Sequence, residues 1–148
     1  MAFQYRLETV LTVRKNKEEQ AQYKLAHEIS ILENKRQHLM KLSEQRLDLV
    51  HTIEEKKKQP ISGSMYSFYT DSLQNIDRQI AFQKNAIRVQ EQVMEKARGV
   101  LAAKVKEKRI VEKMKEKDYL EYVQELLRKE QIEHDEMAVL RHGRGHGQ

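Results

Sequence analysis

Apolar residues return every seven positions along most of this chain, and this spacing limits the fold more than any other feature. In the second half the repeating row is Leu73, Ile80, Ile87, Met94 and Leu101. In the first half it is Leu25, Leu32, Leu39 and Ile53, with Arg46 in the remaining slot and Leu42 and Leu49 in a companion row. A seven-residue apolar repeat is typical of the seam of a left-handed coiled coil. Each half therefore predicts a long helix that buries one stripe against a partner helix.

The one interruption lies between these halves, at the chain's single proline, Pro60. Proline lacks an amide hydrogen, so it ends the first helix. Gly63 can adopt the backbone dihedrals that a chain reversal needs. Ser62 or Ser64 can cap the second helix by accepting a hydrogen bond from a free amide.

We therefore predict an all-α fold, a long antiparallel two-helix coiled coil (a helical hairpin) that forms one domain over residues 1–148. Its predicted parts are helix 1 at about 3–58, a turn at about 59–64, helix 2 at about 65–141 and a disordered tail at 142–148.

Folding the chain at Gly63 predicts that facing residues have numbers that add up to about 124. The apolar row shifts by four residues after Leu101, where it resumes at Val105, and a similar shift precedes Leu25. We interpret both shifts as a stutter, which locally unwinds a coiled coil. Helix 2 then continues past about residue 123 without an intramolecular partner, and this overhang is a binding surface or a frayed end. It keeps an apolar stripe formed by Val123, Leu126, Leu127, Met137 and Leu140.

The composition favours this fold over a compact globule, because 34% of residues are charged and only 6% are aromatic. A two-helix fold offers no concave pocket, the chain has no cysteine, and no phosphate-binding glycine loop is present. We therefore expect no enzyme activity and no catalytic, cofactor-binding or metal-binding residues. No apolar run is long enough to span a membrane. The net charge of +5 is mild, and no aromatics interleave with the basic residues, so nucleic acid is not an expected partner.

Charge is distributed unevenly along helix 2. Residues 96–117 contain nine Lys or Arg against three Asp or Glu, whereas residues 118–136 contain two against seven. These zones are either ordinary solvated faces or surfaces for differently charged parts of a larger ring. Three aromatics, Tyr66, Phe68 and Tyr69, follow the turn, with Leu73 one helical turn after Tyr69. These residues either pack at the end of the seam and stabilise the turn, or they form an anchor that binds a partner.

Two segments resemble a known family. The opening "FQYRLETVLTVRKNKEEQAQYKL" and the segment "YSFYTDSLQNIDRQI" after the turn resemble FliJ-like proteins of the bacterial flagellar type III export apparatus. This resemblance implies a coiled coil similar to the central stalk of rotary ATPases. It also implies a chaperone-escort and ATPase-regulator role in flagellum biogenesis, motility and chemotaxis. The implied partners are the hexameric flagellar export ATPase, the cytoplasmic part of a membrane export gate protein, and flagellar export chaperones.

The resemblance further implies a cytoplasmic location, peripheral to the cell membrane at the flagellar base, and a division of the hairpin into two binding regions. The family's gate-binding aromatic and leucine fall on Tyr69 and Leu73, although Phe68 beside them leaves open which ring makes the contact. The implied gate-binding residues are Tyr66, Phe68, Tyr69 and Leu73. The implied ATPase-ring-binding residues are Phe3, Arg6, Leu7, Val10, Arg14, Lys106, Arg109, Lys113, Tyr119, Tyr122, Leu126 and Met137. The alternatives are a generic coiled-coil adaptor or chaperone, and the equivalent stalk subunit of an injectisome.

Overall fold

The computed structural model describes residues 2–145, which form two long α-helices and no strand. Helix α1 is Glu8–Lys56 and helix α2 is Gly63–Gly145. The helices pack antiparallel: Arg46 pairs with Asp77 and Glu8 pairs with Lys115, and in both cases the two residue numbers add up to 123. The predicted all-α antiparallel helical hairpin is confirmed, and the pairing is close to the predicted value.

The contacts of the chain fall into two compact units, each built from part of both helices. The terminal unit contains the described residues up to Glu19 and those from Ala103 onward. The turn unit is Gln20–Ala102. Its buried apolar residues are Ala21, Leu32, Leu42, Ile76, Ile87 and Ala97.

The seam of α2 keeps one heptad phase in both units, so the predicted stutter is wrong. In the terminal unit, Lys104, Lys108 and Val111 are buried or half-buried and continue the alternating steps of three and four residues. Val105 is 38% exposed and Tyr119 is 50% exposed. The apolar row moves out of the seam here, while lysine stems fill the seam positions and the Lys104 and Lys108 ammonium groups pair with carboxylates.

Helix α1 also has no stutter. Leu11, Arg14, Glu18, Ala21 and Leu25 are all buried or half-buried, and they follow one another at steps of three and four residues. The step from Ala21 to Leu25 is therefore the ordinary step between the two rows of a heptad seam, not an insertion.

Polar residues inside the seam of the turn unit are paired across the two helices. The buried Gln83 donates from Nε2 to the Lys35 carbonyl oxygen at 2.9 Å. The buried Gln90 donates to the Glu28 carbonyl oxygen at 3.0 Å. Such bonds satisfy groups that would otherwise be costly to bury, and they favour one pairing of the helices over neighbouring ones.

The turn differs from its prediction in the role of glycine. The Ser62 hydroxyl accepts a hydrogen bond from the Met65 amide at 3.2 Å, so Ser62, not Ser64, caps α2. Gly63 is already the first residue of α2 and does not have a positive φ. The reversal is therefore made without a left-handed residue, and the conformational freedom that we expected Gly63 to supply is not used.

The helix ends also differ from the predicted bounds. Helix α1 begins at Glu8 and not near residue 3, because the segment before it packs across α2 instead of continuing the helix. It ends at Lys56, two residues before the predicted end. Helix α2 continues to Gly145, so residues 142–145 of the predicted disordered tail are helical. The rest of that tail, 146–148, lies outside the described residues.

Candidate functional site

The N-terminal strap, residues 2–7, lies on α2 in the terminal unit. The Phe3 ring contacts the rings of Tyr119 and Tyr122, with centroids 5.4 and 5.3 Å apart. The Tyr5 hydroxyl donates to the Val111 carbonyl oxygen at 3.2 Å, and the Tyr5 side chain is buried. These contacts bury the Tyr5 ring and half-bury the Phe3 ring. A continuing helix would direct both rings elsewhere, which explains why α1 starts late.

The strap completes a small core that the sequence did not reveal in full. Tyr5, Leu11 and Val111 form it, with Phe3 and Leu7 packed against them. Phe3 and Leu7 were predicted site residues, and here they serve packing. Tyr5, Leu11 and Val111 were missed because we followed the row through Val105, whereas Val111 follows Lys104 by seven residues in the true seam.

Charged side chains cross the seam beside this core. The Arg14 guanidinium donates to the Glu107 carbonyl oxygen at 2.6 Å. The Lys108 ammonium lies 2.6 Å from the Glu18 carboxylate and 3.8 Å from that of Glu112. The hydrogen bond to Glu18 raises the pKa of Lys108, so the ammonium stays charged. The predicted site residue Arg14 therefore contacts the other helix.

The remaining predicted basic residues point outward. Arg6, Lys106, Arg109 and Lys113 are exposed, as is Val10 at 38%. They are accessible to a partner, whereas the basic Lys115 is engaged: its ammonium lies 2.8 Å from the Glu8 carboxylate and 5.9 Å from the centre of the Tyr5 ring. The basic zone of α2 thus divides into seam lysines and surface cations.

The α2 extension, residues 124–145, is exposed at every position. Tyr122 and Val123, which directly precede it, are half-buried. The predicted site residues Leu126 and Met137 are 42% and 52% exposed. Further exposed apolar residues on the extension are Leu127, Ile132, Val139 and Leu140. Along one helix, the Arg128 guanidinium lies 2.8 Å from the Glu125 carboxylate and lowers the pKa of Glu125. This helical segment presents apolar and acidic side chains that nothing in the described chain covers.

The turn aromatics, Tyr66, Phe68 and Tyr69, occupy the start of α2 in the turn unit. Tyr66 and Phe68 are 59% and 61% exposed, while Tyr69 and Leu73 are half-buried. The Phe68 and Tyr69 rings meet edge to face, with centroids 5.6 Å apart. Tyr69 and Leu73 lie at seam spacing, so they close the seam beside the turn, and Phe68 is the more exposed of the two adjacent rings.

Two kinds of site are missing from residues 2–145. Neither helix has a stretch long and apolar enough to cross a membrane. No three His, Asp or Glu residues of this part of the chain lie close enough together to hold a metal ion.

Comparison with known proteins identifies the family. The model of the family described as flagellar FliJ protein matches residues 3–147. A protein described as a proposed YscO homolog from Chlamydia trachomatis has a similar fold, with a TM-score of 0.56 at 20% identity over 95% of this chain and 96% of that one. No curated protein matches the chain. Because the family match extends over nearly the whole chain, the protein belongs to the flagellar FliJ family and is a component of flagellar type III export.

Proposed function

We propose that this protein is a non-enzymatic coupling component of the flagellar export machine that seats its terminal unit in the hexameric export ATPase. The observation that carries the proposal is the α2 extension, a helix that is exposed at every position and carries six exposed large apolar side chains. Exposed apolar stripes on soluble proteins mark surfaces that other macromolecules cover. A single projecting helix is suited to enter the opening of a ring.

Surface charge supports the same assignment. The exposed cations Arg6, Lys106, Arg109 and Lys113 belong to the terminal unit, and the acidic residues of the α2 extension belong to it as well. A ring subunit with complementary charges would be oriented by these two zones before the apolar contacts form. Seating in this way promotes assembly of the ATPase ring and its activity.

The turn aromatics are the proposed contact with the cytoplasmic part of the membrane export gate protein. Phe68 offers an exposed ring for that contact, and the half-buried Tyr69 and Leu73 support it from the seam. Binding at the turn would link the ATPase to the gate at the cytoplasmic face of the cell membrane. The same protein would escort flagellar export chaperones between the two.

The first test measures ATP hydrolysis and hexamer formation by a purified flagellar export ATPase with and without this protein. We expect faster hydrolysis and more hexamer, because the seated extension adds contacts to several subunits. A chain that ends at Val123 should lose both effects while its helical hairpin still forms. If the full chain changes neither quantity, the protein is a generic coiled-coil adaptor; if the shortened chain still stimulates, the extension is not the seating element.

The second test separates the two binding regions. Phe68→Ala with Tyr69→Ala should weaken binding to the cytoplasmic part of the gate protein and leave ATPase stimulation unchanged. Met40→Ala is a matched control, since Met40 is 63% exposed and lies outside both regions. Loss of gate binding and ATPase stimulation together would mean that the turn aromatics are structural.

A further inference from the structure

A second apolar stripe follows α2 in the turn unit, on the flank of the seam. It is formed by Phe82, Ala86, Val89, Val93 and Val100, at steps of three, four and seven residues. Phe82 is 75% exposed, and the three valines are between 36% and 50% exposed. The buried Gln83 and Gln90 each follow a stripe residue by one position, which places the stripe about 100° around the helix from the seam.

The stripe runs between two depressions whose rims are basic, one near each end, and we call this face of the turn unit the basic-rimmed groove. Near Phe82 the groove is lined by His38 and Leu42 of α1 and by Arg78 of α2. Near Val93 and Val100 it is lined by Ala21 and Lys24 of α1 and by Lys96 of α2. The charged side chains that line these two depressions, Arg78, Lys24 and Lys96, are all cations.

The carboxylates of this unit that pair across the helices lie elsewhere. Glu91, which pairs with Arg36, follows Val89 by two positions and so lies about 160° away from the stripe around α2. No carboxylate of the described residues lines either depression, so an occupant that supplies acidic groups would complement the rim cations.

The α2 extension has the matching properties. It is helical and exposed, and it combines apolar residues such as Leu126 and Met137 with the acidic residues Glu130 and Glu133. At 1.5 Å per residue, the stripe from Phe82 to Val100 is about 27 Å long. The exposed apolar residues of the extension span from Leu126 to Leu140, about 21 Å by the same measure, so they fit within the length of the stripe.

We propose that, away from its export partners, the basic-rimmed groove of the turn unit binds the α2 extension of a second copy of this chain. The exposed apolar residues of the extension meet the stripe. Glu130 and Glu133, which lie between Leu126 and Met137 on the same face of the extension, lie against the cations of the rim. This pairing would cover both exposed apolar surfaces before assembly. It would also compete with seating in the ATPase, because the same extension cannot occupy both sites.

The test measures the mass in solution, by light scattering at low salt, of the full chain and of two full-length variants. The groove variant carries Val93→Glu and Val100→Glu, and the extension variant carries Leu126→Lys and Met137→Lys. We expect the wild-type chain to exceed its single-chain mass of 17.6 kDa and each variant to fall to it. An equimolar mixture of the two variants should associate again, because the groove of one copy and the extension of the other are intact.

A control variant with Met40→Lys and Leu47→Lys should associate as the wild type does, since both residues are exposed on α1 outside the groove. Circular dichroism confirms that every variant stays helical. A wild-type chain of 17.6 kDa, an extension variant that still associates, or a mixture that stays monomeric would each overturn the proposal. Binding of an acidic amphipathic helix from another export protein by a monomeric chain would also overturn it in favour of that partner.

The ATPase assay separates this proposal from the proposed function. The groove variant keeps its extension, so it should still stimulate the ATPase even though it no longer self-associates. Loss of self-association with retained stimulation supports both proposals, whereas a wild-type chain that stimulates without ever associating refutes only the groove pairing.

Discussion

Replacing Leu11 by alanine tests where the seam of the terminal unit lies. The Leu11 side chain is 2% exposed and packs in the core with Tyr5 and Val111. Leucine-to-alanine changes in protein cores cost about 2–5 kcal/mol. This core is thin and borders solvent, so it can relax, and we expect a loss of about 2–3 kcal/mol, at the low end of that range.

The matched control is Leu47→Ala, the same change in the same helix at a residue that is 68% exposed. It should change stability by less than about 0.5 kcal/mol. Urea unfolding gives the overall loss, and hydrogen exchange read by mass spectrometry gives its location. A loss of about 2 kcal/mol corresponds to roughly 30-fold faster exchange for amides that open with the terminal unit. If Leu11→Ala costs no more than Leu47→Ala, Leu11 does not face Val111 and the continuous seam is refuted.

Three further predictions use stability measurements alone. Gly99→Ala should raise the free energy of unfolding by about 1 kcal/mol, because an added Cβ meets nothing within 4 Å and alanine favours the helix; a lower urea midpoint would contradict this. Ser62→Ala should cost about 1 kcal/mol and speed amide exchange in the first turn of α2, whereas Ser64→Ala should not; equal effects would remove the assigned cap. The hydrogen bond with Glu18 raises the pKa of Lys108, so its contribution to stability is complete below the unfolded value of 10.5 and is lost as pH rises through the folded value. The difference in unfolding free energy between wild type and Lys108→Met should therefore narrow above pH 10.5, and a constant difference would contradict the ion pair.

Several features of the fold could be predicted from local sequence patterns. The heptad spacing and the single proline were enough to predict two helices that pack antiparallel, because a seam repeat requires a partner stripe and the chain offers two. Arg46, which interrupts the apolar row of the first half, was correctly placed in the seam by its spacing, and it is half-buried. The part of α2 without a facing helix was predicted by pairing residues across the turn, since facing residues have numbers that add up to about 124.

Other features depended on contacts between residues far apart in sequence. The strap leaves the helix because Phe3 and Tyr5 gain aromatic packing and a hydrogen bond to Val111, and no local propensity encodes that gain. The same applies to the candidate site: the turn aromatics were found by composition, but their different exposures depend on how the seam closes at Leu73.

The sequence by itself determined the number of helices, their direction and the length left unpaired, because these follow from periodicity and one helix-breaking residue. Only the tertiary structure decided which row of each helix faces the other. A four-residue step in an apolar row is compatible both with an inserted stutter and with a change from one seam row to the next. The partner helix made the choice, because Leu11 of α1 packs in one core with Val111 of α2 and Glu18 pairs with the seam residue Lys108.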